Sequence, residues 1–346
     1  MKSANIAPVV IFVMPEITDN ANTFDPNIQS EDIAFDRDEM VACKGCGRAN
    51  PPNRFNCIYC AHELEISTSD TAATRFTSRK LETWERGFNL VLVKHLDAGG
   101  NCRPAAGLLR VGIANVNEIV QSATPLPVAR VESEKEATVI RTRLEEMGFV
   151  CSVVSDDELA ADKPHVRLSA MELTDETLEV VSFNTKERIK IAWNDVALIV
   201  SGILTKGRVD SLEKKRRHGK TKLIDETATS SDEEVFDLYT RDDAAGFRVH
   251  QAGFDFSCLG NNKGLLASEN MRRLIVELKQ RAPNTKYINS YVQLRHLLRD
   301  VWEAESRKDF HGLQRSGFGK VESASVASTS NLVQFNKFSR LQWHLR

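Results

Sequence analysis

The feature that most constrains this 346-residue chain is a pair of cysteine knuckles, Cys43-Lys-Gly-Cys46 and Cys57-Ile-Tyr-Cys60, separated by ten residues beginning with Gly47. Four thiolates supplied by two tight turns match the tetrahedral preference of zinc. Gly47 follows the second ligand, where a positive φ lets backbone N–H groups point at sulfur. Asn50-Pro51-Pro52 fits the turn between the knuckles. A module this small cannot build a core of its own. Metal binding therefore supplies its folding energy, on the order of 10–16 kcal/mol in zinc-finger peptides. Four cysteines leave no open position for a substrate, so the expected Zn2+ is structural. The alternatives are a redox dithiol pair or coincidental spacing. His62 is close but surplus and reads as a surface residue.

The module resembles the short zinc ribbons appended to many bacterial proteins. The resemblance implies a binding role without naming the ligand. Seven cysteines are present, and Cys102, Cys151 and Cys258 are scattered. An odd total with four in metal-ligand spacing argues for a reducing compartment, so the expected location is cytoplasmic. The net charge of -2 gives no global pull toward nucleic acid or anionic lipid. The apolar run Ile6 to Met14 is shorter than the roughly 20 residues a membrane helix needs, and no small-residue cleavage site follows it. Residues 15–39 are polar, acidic and aperiodic, so 1–39 is expected to be a disordered segment. Met40 offers an alternative start directly before the knuckles.

Residues 40–63 form the ribbon, and the Ser- and Thr-rich stretch 64–84 reads as a linker. From Phe88 to Val154 the pattern is β-α-α-β-α-β. It comprises an apolar strand at Phe88–Val93, helix starts near Asn101 and Asn115, an extended Pro125–Val131, and a helix capped by Ser133 with Glu136. The stripe of that helix is Ala137, Ile140, Leu144 and Met147; Gly148 ends it, and an apolar strand reaches Val154. Val111-Gly112-Ile113, Glu118-Ile119-Val120, Ser122-Ala123 and Leu144-Glu-Glu-Met-Gly148 resemble the C-terminal domain of the bacterial ribosomal stalk protein, whose fold is shared with the ClpS adaptor. The resemblance covers about a fifth of the chain and implies a domain at 85–158. Ala114 and Asn117 stand where the stalk family carries lysines for translation factors. Lys94-His95-Leu96-Asp97 stands where ClpS has its Asn-Asp pair. A retained scaffold with a replaced binding surface is the implication.

Residues 165–304 are expected to be β-rich, an antiparallel barrel or sandwich with C-terminal helices. Strands are expected at Val166–Leu173, Leu178–Phe183, Arg188–Trp193, Val196–Leu204, Val235–Thr240, Phe247–Gln251 and Phe254–Cys258. Helices are expected around Met271–Leu278 and Leu294–Val301. Ile191-Ala-Trp-Asn-Asp-Val196 is similar to bacterial pleckstrin-homology-like domains, in which one helix, here Ser268–Arg281, would close the barrel. Residues 205–234 read as a disordered loop. From Lys206 to Lys222 it holds eight basic and two acidic residues. An acidic run follows, from Asp225 to Glu234. Residues 305–346 read as a flexible tail with a docking segment at Phe335, Phe338, Leu341, Trp343 and Leu345. The fold class expected overall is α+β and multidomain.

No phosphate loop, dinucleotide fingerprint, nucleophile elbow or His-Glu-x-x-His motif occurs, so a non-catalytic reading leads. His95, His165 and His250 read as isolated polar or core positions. The leading expectation is an adaptor that binds another protein. A second is nucleic-acid or ribosome-associated binding through Lys44, Arg48 and Arg54 of the ribbon and Lys214, Lys215, Arg216 and Arg217 of the loop. A third is an enzyme whose site is assembled from residues far apart in sequence.

Overall fold

The computed structural model describes residues 40–51, 54, 56–64, 81–97, 101–215, 221–242, 245–317 and 320–346. Expectations for 1–39, for most of the linker and for Arg216 and Arg217 fall outside the described residues. The architecture is mixed α/β, with a small cysteine-rich unit, a three-stranded sheet and a large curled sheet.

Strands β1 (Val41–Ala42) and β2 (Ala49–Asn50) pair antiparallel around the first knuckle. The second unit runs β3 (Phe88–His95), α1 (Arg103–Leu109), α2 (Ile113–Ser122), β4 (Leu126–Val131), α3 (Glu134–Glu146) and β5 (Phe149–Ser155), the order expected from the sequence. Its sheet order is β4-β3-β5, all antiparallel, with Leu90, Val91 and Leu92 of the central strand fully buried. Helix α3 starts where expected: the Ser133 hydroxyl accepts the Glu136 N–H at 3.2 Å. It buries Ala137, Ile140 and Leu144, one stripe at 3.6 periodicity. Gly148 at φ 88° turns the chain into β5. Asn101 does not cap α1; Cys102 occupies that position, and the Asn101 side chain accepts the Arg103 N–H.

After α4 (Asp156–Leu159) come β6 (Val166–Leu173), β7 (Thr177–Ser182), β8 (Arg188–Ala192), β9 (Val196–Lys215), β10 (Thr221–Thr240) and β11 (Phe247–His250). Then follow α5 (Ala267–Arg281), β12 (Lys286–Ile288), α6 (Tyr291–Leu294), β13 (Glu305–Gly317), β14 (Lys320–Ser330) and α7 (Leu332–His344). These strands form one sheet in the order β13-β14-β9-β10-β11-β6-β7-β8, with β12 beside the first part of β9. The sheet is not the expected antiparallel barrel or sandwich. It is open, with β8 and β13 at its ends, and mixed, because β11–β6 and β12–β9 are parallel pairs. Both parallel partners arrive after a crossover, which periodicity within single strands cannot reveal.

Period-two alternation splits the sheet between two cores. Leu198, Val200 and Tyr239 join a cluster with Leu90, Leu126, Ile140, Tyr291, Trp302, Phe335, Phe338 and Leu341, so β3–β5, α6 and α7 pack on one face. Ile199, Phe236 and Leu238 join Leu168, Leu178, Met271, Leu274 and Leu278, placing α5 on the other. The expected strand at 254–258 is instead a 3-10 turn, Phe256–Asn262, capped by the Asp255 side chain. The expected helix from Leu294 to Val301 breaks into α6 and a 3-10 turn, Arg295–Leu298.

Two expectations of disorder are corrected. Residues 205–215 and 221–234 lie in β9 and β10, paired along their length apart from a bulge between Leu223 and Asp225, and 305–317 and 320–330 form the antiparallel pair β13–β14 against β9. Among the described residues, none of 205–234 or 305–330 belongs to either buried cluster. This four-stranded arm is therefore held by its ladders and not by an apolar face, which is why hydrophobic patterning missed it. The tail's helix α7 is docked, with Phe335, Phe338 and Leu341 fully buried.

Candidate metal centre

The two knuckles adopt the same backbone device. Gly47 N–H donates to Cys43 O at 2.7 Å, and Ala61 N–H donates to Cys57 O at 2.9 Å. Gly47 and Ala61, each directly after the second cysteine of its pair, both have positive φ, 71° and 58°. Asn50 locks one knuckle to the other: its amide donates to Arg48 O, and its carbonyl oxygen accepts the Ile58 N–H. Val41 and the buried Leu64 pack beneath.

Cys43, Cys46, Cys57 and Cys60 thus lie together as a site that could hold a metal ion, all four sulfurs within 4.8 Å of one another. The Cys43–Cys60 and Cys46–Cys57 sulfur pairs are each 3.6 Å apart. Disulfide bonding would need about 2.05 Å. A tetrahedron with metal–sulfur bonds of about 2.3 Å has edges of roughly 3.8 Å, close to the spacing found.

The electrostatics agree with that donor set. Desolvation pulls the Cys57 thiol up, but the N–H groups of Tyr59 and Cys60, with Cys46 and Asn50, hold it down at about 6. At Cys60 a backbone hydrogen bond with His62 lowers the value, yet desolvation and the three other sulfurs push it up to about 12. Four like charges this close need a cation among them before all can ionise.

No family model, curated protein or solved structure matches this chain.

The ribbon's exposed surface combines Ile58 and Tyr59, both about half exposed, with the Arg48 guanidinium 4.7 Å from the centre of the Tyr59 ring. Lys44 and Arg54 are exposed on the same small unit. The other sequence-predicted contacts are far along the chain. Lys214 and Lys215 occupy the last positions of β9, opposite Lys222 and Thr221.

Sequence reasoning missed two buried charge clusters. Asp156 accepts from Arg130 at 2.6 and 2.9 Å, from the Asn89 amide at 3.0 Å and from Gly87 N–H, with Lys337 at 3.3 Å. Asp237, fully buried, receives a bidentate pair from Arg248 at 2.6 and 2.8 Å. His165 lies 3.3 Å from Asp237 and 2.7 Å from the Tyr239 hydroxyl, which also bonds Ser339. His165 is buried, as a core position would be, and belongs to this network; burial pushes its imidazole down to about 4. The side chains of His165 and Asp237 are 2% and 0% exposed, so this pair is buried. The signals existed only as single polar letters inside apolar strands, such as Asp237 in Val-Phe-Asp-Leu-Tyr.

Proposed function

We propose that this protein is a non-catalytic adaptor whose ribbon is folded by Zn2+ held by Cys43, Cys46, Cys57 and Cys60, and which binds another protein in the bacterial cytoplasm. The observation that carries the reading is the sulfur cluster with Ile58 and Tyr59 exposed between two of its ligands. The metal fixes the knuckle backbone, and the knuckle fixes two apolar side chains in water, where only a partner would cover them. The β3–β5 unit with its ClpS-like element order serves as a scaffold in this reading.

The test is affinity capture with three forms of the full chain. Wild type retains a partner. Ile58→Glu with Tyr59→Glu keeps zinc and loses the partner; Cys57→Ser with Cys60→Ser loses both. A partner that survives the first pair of substitutions contradicts the reading.

A second reading, nucleic-acid binding, is favoured by one observation. The register puts Lys214, Lys215, Lys222 and Lys320 at the shared far end of two hairpins. Asp232–Glu234 of the acidic run pair with Thr205–Ile203, about ten positions and roughly 33 Å from Lys215 and well beyond a screening length of about 8 Å, while Asp225 pairs with Leu212 and Glu322 with Lys214, so the lysine end itself is mixed in charge. Under this reading Lys44, Arg48 and Arg54 add contacts from the ribbon. It requires RNA or DNA binding that weakens steeply with salt; no binding at low salt excludes it.

A further inference from the structure

The arm has two long unpaired borders. The outer edge of β10 is covered by β11 only from Val235 onward, and Gln251 N–H reaches Glu234 O. Among the described residues, no strand pairs with the outer side of β10 from Glu233 back to Thr221, or with the outer side of β13. Each border presents a row of backbone donors and acceptors, the arrangement that a further strand completes. Neither stretch contains a proline.

The two borders also match in direction. Three antiparallel steps, β13–β14, β14–β9 and β9–β10, separate them, so β13 and β10 run in opposite senses. If two copies stand side by side with their arms pointing the same way, β10 of one meets β13 of the next as an antiparallel pair. The ladder then continues without a change of pattern.

Charge sets the register of that pair. The ladders put Arg307 level with Ser328, Arg208 and Thr229, and Lys308 level with Ala228. In unstaggered pairing these two bases would face neutral residues. Displacing β13 by four residues toward the base of the arm changes this. Arg307 then falls opposite Glu233 and Lys308 opposite Asp232. In the same register Asp309 faces Ser231, so no like charges meet. Phe310, 71% exposed, faces Ser230, where a small residue leaves room for the ring. A shift of four residues over the four strands of one arm is one residue per strand. With about 3.3 Å per residue and about 4.8 Å between strands, that tilts strands by roughly 35°, the tilt of sheets that curl into barrels.

We infer that the arm is a self-assembly surface: the acidic β10 edge of one copy of this chain takes the basic β13 edge of a second copy as an added strand. The contact is head-to-tail, so the second copy keeps a free β10 edge for a third. Opposite-charge pairs along the ladder select this register over the alternatives.

The test is sedimentation velocity of the zinc-loaded full chain over a range of concentration and salt. Wild type forms species larger than the monomer, and these dissociate as salt rises. Lys308→Glu weakens association at least about tenfold, because it places a like charge opposite Asp232. Asp232→Lys does the same; Glu233 is left intact because it also bonds His250. An equimolar mixture of the two variants regains wild-type association, since the two altered edges again carry opposite charges at this pair and the two unaltered edges pair as in wild type. Misfolded chains would not rescue one another. A wild type that stays monomeric, variants that associate like wild type, or a mixture that remains dissociated would each overturn the inference.

Discussion

The indole N–H of Trp302 donates to Oδ1 of Asn89 at 2.8 Å, although the two are 213 residues apart in the chain. The same Asn89 donates its amide to Asp156, which also holds Arg130 and Lys337. The turn after α6, the central strand β3 and the C-terminal helix α7 therefore meet at one buried carboxylate. Burial pulls that carboxyl up, but Lys337, Asn89 and Arg130 outweigh it and hold it below the usual range.

Removing Asp156 strands two buried cations. Asp156→Ala is expected to cost about 3–5 kcal/mol, read as a lower urea midpoint with an unchanged slope. With a depressed folded pKa, the stabilisation is complete above the ordinary carboxylate pKa of about 4 and disappears as pH falls through the folded value. A variant as stable as wild type would show that the node is dispensable.

His165 titrates in the opposite chemical sense but gives the same pH trend. Its folded value of about 4 lies below the usual 6.5, because burial disfavours the imidazolium. Between those two values the unfolded chain binds a proton that the folded chain does not. Stability is complete above pH 6.5 and declines toward pH 4 by at most about 1.4 kcal/mol per pH unit from this residue. In His165→Phe that part of the slope should vanish in pH-dependent denaturation curves; an unaltered slope would remove His165 as its source.

Gly202 sits where α7 crosses β9. A Cβ there would lie 2.5 Å from the Phe335 ring and 3.0 Å from Tyr291. Gly202→Ala should cost about 1–3 kcal/mol by forcing α7 outward. Limited proteolysis reads this as earlier release of the C-terminal segment, and an unchanged cleavage rate would contradict it.

The sequence made the β3–β5 unit legible because every element there carries a period, a cap or a glycine stop: Ser133, the Ala137–Leu144 stripe, Gly148. The cysteine cluster was legible for a different reason, since four ligands within 18 residues leave little freedom of arrangement. The arm was not legible. Its strands scatter a few Val, Leu, Ile and Phe among charged residues, Ser, Thr, Ala and Gly, and among the described residues none joins a buried apolar cluster, so hydrophobicity carried little information about them. The Asp156 and Asp237 clusters were hidden because their partners lie up to 181 residues away, and nothing local marks Lys337 or Arg248 as a counter-ion. The crossovers that make β11–β6 and β12–β9 parallel belong to tertiary topology alone.

The proposed metal is the point on which the proposed function rests. Native mass spectrometry of the full chain, purified without added metal and kept reduced, measures it directly. One zinc ion per wild-type chain, absent from the Cys57→Ser/Cys60→Ser variant, is the expected result. A wild-type chain without metal, or a variant that still binds one zinc, would contradict the account.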